Sequence, residues 1–104
     1  MADYVLSNAA DGDLTEIYRF SHGAFGEAKA DEYFLGLRDT LEMLADNPRL
    51  GRPARDLRLG LFRHNHARHV IFYLVEDPGI FVVRVLHHAM DSERHVGRKS
   101  VERA

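Results

Sequence analysis

The stretch Arg68-His69-Val70-Ile71-Phe72-Tyr73-Leu74-Val75, then Glu76-Asp77-Pro78-Gly79, then Ile80-Phe81-Val82-Val83-Arg84-Val85-Leu86-His87 decides the fold. Both runs are rich in β-branched and aromatic side chains, and acidic, Pro and Gly turn residues part them, so they predict a hairpin of two strongly apolar strands. Strands of this character need cover over at least one full face. The only cover the chain offers is its first half, which reads as helical.

Working upstream, Tyr4-Val5-Leu6-Ser7 is a short strand leading into a helix start, with Asn8 as the expected cap and Asp11 three residues on. Asp11 and Asp13 suit the positive end of a helix dipole. Ala10, Leu14, Ile17, Tyr18, Ser21 and Phe25 recur at helical spacing, and Gly23 and Gly26 end the segment. A second helix is expected from Glu27 to Asp46, with Ala30, Tyr33, Phe34, Leu37, Leu41, Leu44 and Ala45 on one face and Asn47-Pro48 as its stop. Helices joined this tightly lie antiparallel. Between them and the decisive hairpin, Leu57, Leu59 and Leu61 alternate with polar or small residues, which predicts a strand from Leu57 to His66 with one wet face. The expected fold is α+β: an N-terminal helical hairpin packed on one face of a small curved antiparallel sheet, the early strand joining one edge. Residues 1–96 form a single domain in this reading and 97–104 a polar tail.

The chain has 104 residues, 45% of them hydrophobic and 29% charged, as a globular domain should, and no cysteine, which excludes disulfides, thiolate metal sites and a cysteine nucleophile. No signal peptide and no membrane-length apolar run is present, so a cytoplasmic protein without membrane contact is expected. The net charge is −2, but residues 1–47 hold ten acids against three bases and residues 48–104 hold eleven bases against six acids. The basic half is either a surface for nucleic acid or an acidic protein, or simply a solvated rim.

Seven histidines invite a metal reading, and His64 and His66 share a strand face. No third ligand is assured, a turn is expected between His66 and His69, and His87 and His88 should point to opposite faces, so neither metal nor cofactor is expected. Arg58, Arg63, Arg68 and Arg84, with His66, His69, His87 and His95, could form a cationic site on the uncovered face of the sheet. Such groups suit phosphodiester cleavage, contact with a protein partner, or pairing with Asp56, Asp91 and Glu93. Tyr18 and Tyr33 read as core residues whose hydroxyls reach the rim, and Phe20 as an exposed aromatic that can mark a contact surface. No phosphate-cradling Gly-rich loop and no Gly-x-Ser-x-Gly occurs.

Tyr4-Val5-Leu6-Ser7, Asp13-Leu14 with Ile17-Tyr18, Phe25-Gly26-Glu27, Ala30-Asp31 with Tyr33, Asn47-Pro48, Gly51-Arg52, Leu57-Arg58 with Gly60-Leu61 and Arg63, His69 to Tyr73, Gly79-Ile80, Val83 to His87, Met90-Asp91 and Arg94-His95 follow one another in an order that carries a resemblance. The chain resembles the ParE toxins of the RelE/ParE superfamily, the toxin halves of bacterial type II toxin–antitoxin pairs. The resemblance implies the helical hairpin on a small antiparallel sheet, and one of two activities. RelE-like members cleave messenger RNA on the ribosome with basic residues and a tyrosine or histidine near the C-terminus. ParE-like members poison DNA gyrase. Here His69 stands where the nucleases have arginine, His95 where they have tyrosine, and Ala89 where a basic residue would serve, so the resemblance implies a non-enzymatic gyrase inhibitor neutralised by a ParD-like antitoxin. No direct sequence-specific nucleic-acid binding is expected. The residues expected to meet antitoxin or target are Tyr18, Tyr33, Leu37, Arg58, Arg63, Arg68, Arg84 and His87. The alternatives are a ribosome-dependent endoribonuclease built from Arg63, Arg84, His87 and His95, and an attenuated toxin that only binds its antitoxin.

Overall fold

The first strand, β1 (Tyr4–Leu6), runs directly into α1 (Asn8–Phe25), which a turn at Gly26 joins to α2 (Glu27–Asp46). These elements come from a computed structural model that describes residues 3–90 and 92–96, the side chain of Glu93 excepted. The tail expected over 97–104, and Asp91, lie outside the described residues. The helix cap falls one residue earlier than expected: Ser7, not Asn8, accepts the Ala10 N–H at 2.9 Å. Gly26 turns the chain at a φ of 88°, a backbone conformation that a side chain would strain, and its N–H closes α1 on the His22 carbonyl.

After α2, a single helical turn at Pro48–Leu50 leads to β2 (Arg52–Pro53), β3 (Leu61–His66), β4 (His69–Glu76), β5 (Gly79–His87) and a short helix α3 (Ser92–Val96). The sheet order is β1-β5-β4-β3-β2, with β1 parallel to β5 and the other pairs antiparallel. The expected meander with the early strand at one edge is therefore present. β3, however, begins at Leu61. The alternation from Leu57 runs through a turn in which Gly60 takes a φ of 86° and Leu59 is 77% exposed.

Both faces of the sheet are covered, and this corrects the expectation of an open arginine-bearing face. On the helix side, Leu14, Leu37, Leu41 and Leu44 pack on Ile71, Tyr73, Ile80, Val82 and Val85. On the other side, Leu61, Val70, Phe72, Phe81, Val83 and Leu86 are closed by Ala54, Leu57 and Val96. Two-sided burial is what near-continuous apolar strands require. A bulge in β5 decides which side its last residues take: Tyr73 pairs with Val82 but Phe72 with Arg84, leaving Val83 without an opposite number. The extra residue shifts the alternation by one, so that Val85 faces the helices and Leu86 the second core.

Candidate functional site

Three features on this frame could meet another molecule, and the residues singled out in the sequence divide among them. The first is a groove of about 510 Å³ bounded by β1, α1 and α2. Tyr4, Leu6, Leu14, Tyr18, Phe34, Leu37 and Leu41 line it, with Arg19 and Arg38 among its polar residues. Tyr18 donates to Asp31 Oδ1 at 2.7 Å and meets the Phe34 ring edge-on at 5.9 Å. That bond to a carboxylate raises the Tyr18 hydroxyl above its ordinary pKa. Leu37 is 1% exposed and forms the floor rather than a free contact.

The second feature is a cluster of imidazoles against α2. Tyr33 Oη lies 2.7 Å from Nδ1 of His69 and 3.3 Å from the His66 carbonyl, while Thr40 Oγ1 lies 3.0 Å from Nδ1 of His66. His87 packs edge-on against His69 and stacks on His88 at 4.5 Å. The expectation that His87 and His88 diverge is corrected: β5 ends at His87, and strand alternation no longer governs the next residue. Burial holds His69 down at about 4, with the charge of neighbouring histidines adding to the effect, and burial lowers His66 as well. Burial raises the Tyr33 hydroxyl. Among the described residues no group of three or more His, Asp or Glu comes together as a metal cage.

The arginines are the third feature, and they do not form one site: Arg63 lies on the second core, whereas Arg68 and Arg84 are on the helix side with the histidines. Arg63 sits over Phe72 of the second core at 5.4 Å, and its strand neighbour across the β2–β3 pairing is Arg52. Arg58 Nη1 and Arg63 Nε are buried without a hydrogen-bond partner. Arg68 is exposed in the turn between β3 and β4. Arg84 is committed elsewhere: Nε and Nη2 each donate to Asp13 of α1 at 2.8 Å, and Asp13 also accepts the Val85 N–H at 2.9 Å. The bond to Asp13 holds the guanidinium above its ordinary pKa, outweighing burial. The four residues of the alternative nuclease have different partners: Arg63 lies against the second core, Arg84 is paired to α1, His87 is in the imidazole cluster and His95 is on α3.

Sequence reasoning missed Asp13, Asp31 and Thr40 as partners of these groups. Asp13 and Arg84 are 71 residues apart, and no spacing rule links them. It also missed Tyr4 and Leu6 as groove walls, although their alternation on β1 was a usable signal.

The comparisons with known proteins agree with this architecture. Residues 4–92 match the family model described as the ParE toxin of type II toxin-antitoxin system, parDE. Toxin ParE1 of Caulobacter vibrioides is 37% identical over 97 residues, covering 93% of this chain and all of that protein. Toxin ParE1 of Mycobacterium tuberculosis is 37% identical over 94 residues, covering 89% of this chain and 96% of that one. A chain of the chromosomal ParDE TA system from P. aeruginosa superposes with a TM-score of 0.71 at 20% identity, covering 84% of this chain and 96% of that chain, a likeness of fold. With a family model spanning most of its length and relatives aligned nearly end to end, the chain belongs to the ParE family of toxins of type II toxin–antitoxin systems.

Proposed function

We propose that this ParE-family toxin inhibits DNA gyrase by protein–protein binding, without catalysis, and that a ParD-like antitoxin neutralises it in the cytoplasm. The family match over residues 4–92 carries the reading. The pairing of Arg84 with Asp13 supports the non-enzymatic half, because a guanidinium already neutralised by a carboxylate is poorly placed to stabilise charge developing on a phosphate. The groove supports the antitoxin half. An apolar segment of the antitoxin lies along Tyr18, Phe34 and the floor at Leu37, while Tyr33 is turned towards His66 and His69. Acidic residues of the same partner meet Arg58, Arg63 and Arg68, which have no carboxylate partner among the described residues. His87, exposed at the end of β5, is left for the target.

Supercoiling by purified gyrase in the presence of the isolated toxin tests the proposal. Inhibition relieved by stoichiometric antitoxin is expected, and unimpaired supercoiling at saturating toxin overturns the gyrase reading. Messenger cleavage in a translating extract that disappears with His95→Ala would replace it with the endoribonuclease.

A further inference from the structure

At the turn end of the β3–β4 hairpin the chain gathers imidazoles with almost nothing acidic beside them. His66 and His69 flank the two-residue turn, and His87 lies opposite His69 in the β4–β5 register. The His69 and His87 rings meet edge-on at 5.7 Å, and His88 stacks on His87. α2 reaches the cluster through two side chains. Tyr33 lays its ring against both His66 and His69, at 5.4 and 5.6 Å, with its hydroxyl on Nδ1 of His69. Thr40 spends its one proton on the Gly36 carbonyl at 3.0 Å, so its oxygen accepts from Nδ1 of His66. On the other side, His87 Nδ1 accepts the Ala89 N–H at 3.1 Å and therefore carries a lone pair, not a proton.

The charged and titratable groups around His69 come from every element packed on it. They are His66 from β3, His87 and His88 at the end of β5, Tyr33 from α2 and Asp13 from α1. Arg68 in the turn acts on Tyr33, and His64 on His66. Asp13 is the one acid in the set, and Arg84 and the Val85 N–H already occupy it. Protons added to these rings thus meet one another and Arg68 rather than a free carboxylate.

We propose that this histidine cluster is an acid-sensitive latch: its neutral rings hold the Tyr33–Thr40 stretch of α2 against the hairpin turn, and their protonation releases it. The sign follows from the depressed basicity of His69. The ring titrates near its ordinary 6.5 in the unfolded chain and at about 4 in the folded one. The folded state therefore prefers the neutral ring, the latch is whole above pH 6.5, and its contribution is lost as pH falls from 6.5 towards 4. The same stretch of α2 supplies Phe34, Leu37 and Arg38 to the groove, so release also alters a groove wall. Only that last consequence, for antitoxin binding, rests on the function proposed above.

Hydrogen–deuterium exchange on the full chain near pH 7 and near pH 5, corrected for intrinsic rates, reads the latch directly. Amides of residues 33–40 are expected to lose about tenfold in protection beyond any loss at residues 80–85, the full shift being discounted for a half-buried ring. His69→Gln should flatten that local loss and His87→Gln should reduce it in part, burial being the larger cause at His69, and the His69 ring should titrate well below 6.5 by NMR. Because His87 is exposed, its variant carries the comparison if His69→Gln does not fold. A His69 midpoint at or above 6.5, a loss spread evenly over the chain, or a local loss that neither substitution diminishes would each overturn the latch.

Discussion

Leu37, Leu41 and Leu44 reach one side of the sheet on a single twenty-residue helix, whereas Ala54, Leu57 and Val96 reach the other on a turn-rich loop and a helix of five residues. Both arrangements exclude water from their cores. They differ in how the covering residues are held. Each leucine of α2 is fixed by its neighbours in a continuous backbone ladder, while Val96 depends on a helix too short to be stable by itself. A sheet of this size can therefore be roofed firmly on one side and by small separate pieces on the other, and the two roofs should respond differently to truncation.

Truncation at the centre of each core sets the scale. Leu41→Ala and Phe72→Ala, both essentially buried, should each lower stability by about 3–5 kcal/mol in urea denaturation. Equal costs would mean that the two cores unfold as one unit; a cheap Phe72→Ala would break that picture. Asp13→Asn comes next, at about 2–3 kcal/mol, because it strips the charge partner from Arg84 and weakens the acceptor for the Val85 N–H. Adding Arg84→Met should restore part of that loss, which a purely local effect at Asp13 would not allow. Val96→Ala should cost only about 1–2 kcal/mol, since a short helix can shift to fill the space. A cost matching that of Leu41→Ala would show that the second roof is as integral as the first. The smallest effect is expected at Ser7→Ala, about 1 kcal/mol, for a hydroxyl that caps α1 and donates to the Val83 carbonyl at 2.7 Å.

The contrast between the faces also separates what could be read from the residues and what could not. α2 was legible from Glu27 to Asp46 because a helical stripe, a Gly before it and Asn47-Pro48 after it all agree. The hairpin of β4 and β5 was legible for the same kind of reason. The second core left a signal, since the runs from Val70 to Leu74 and from Ile80 to Val83 are apolar at every position and not alternately. Only the first half of the chain has helical stripes, and the loop and short helix that close the second side carry no comparable pattern. The bulge at Val83 left no such signal, and the side taken by Val85 and Leu86 follows from it. Hence the residues alone suggest one cationic set of Arg58, Arg63, Arg68 and Arg84 with His66, His69, His87 and His95, whereas pairing geometry sends His66 and His69 towards α2 and Arg84 to Asp13. The start of β3 was set too early because Leu57 and Leu59 keep the strand rhythm while the backbone is already turning.

β1 pairs with β5 only as far as Val82, and beyond that point Ser7 takes the Val83 carbonyl and Asp13 the Val85 amide. Side chains thus finish a border that backbone leaves incomplete. A foreign strand seeking to zip onto that margin finds its docking points already taken, so identical copies gain no foothold for stacking there. Crowding such a protein in a cell should favour solitary molecules over fibrils along this rim.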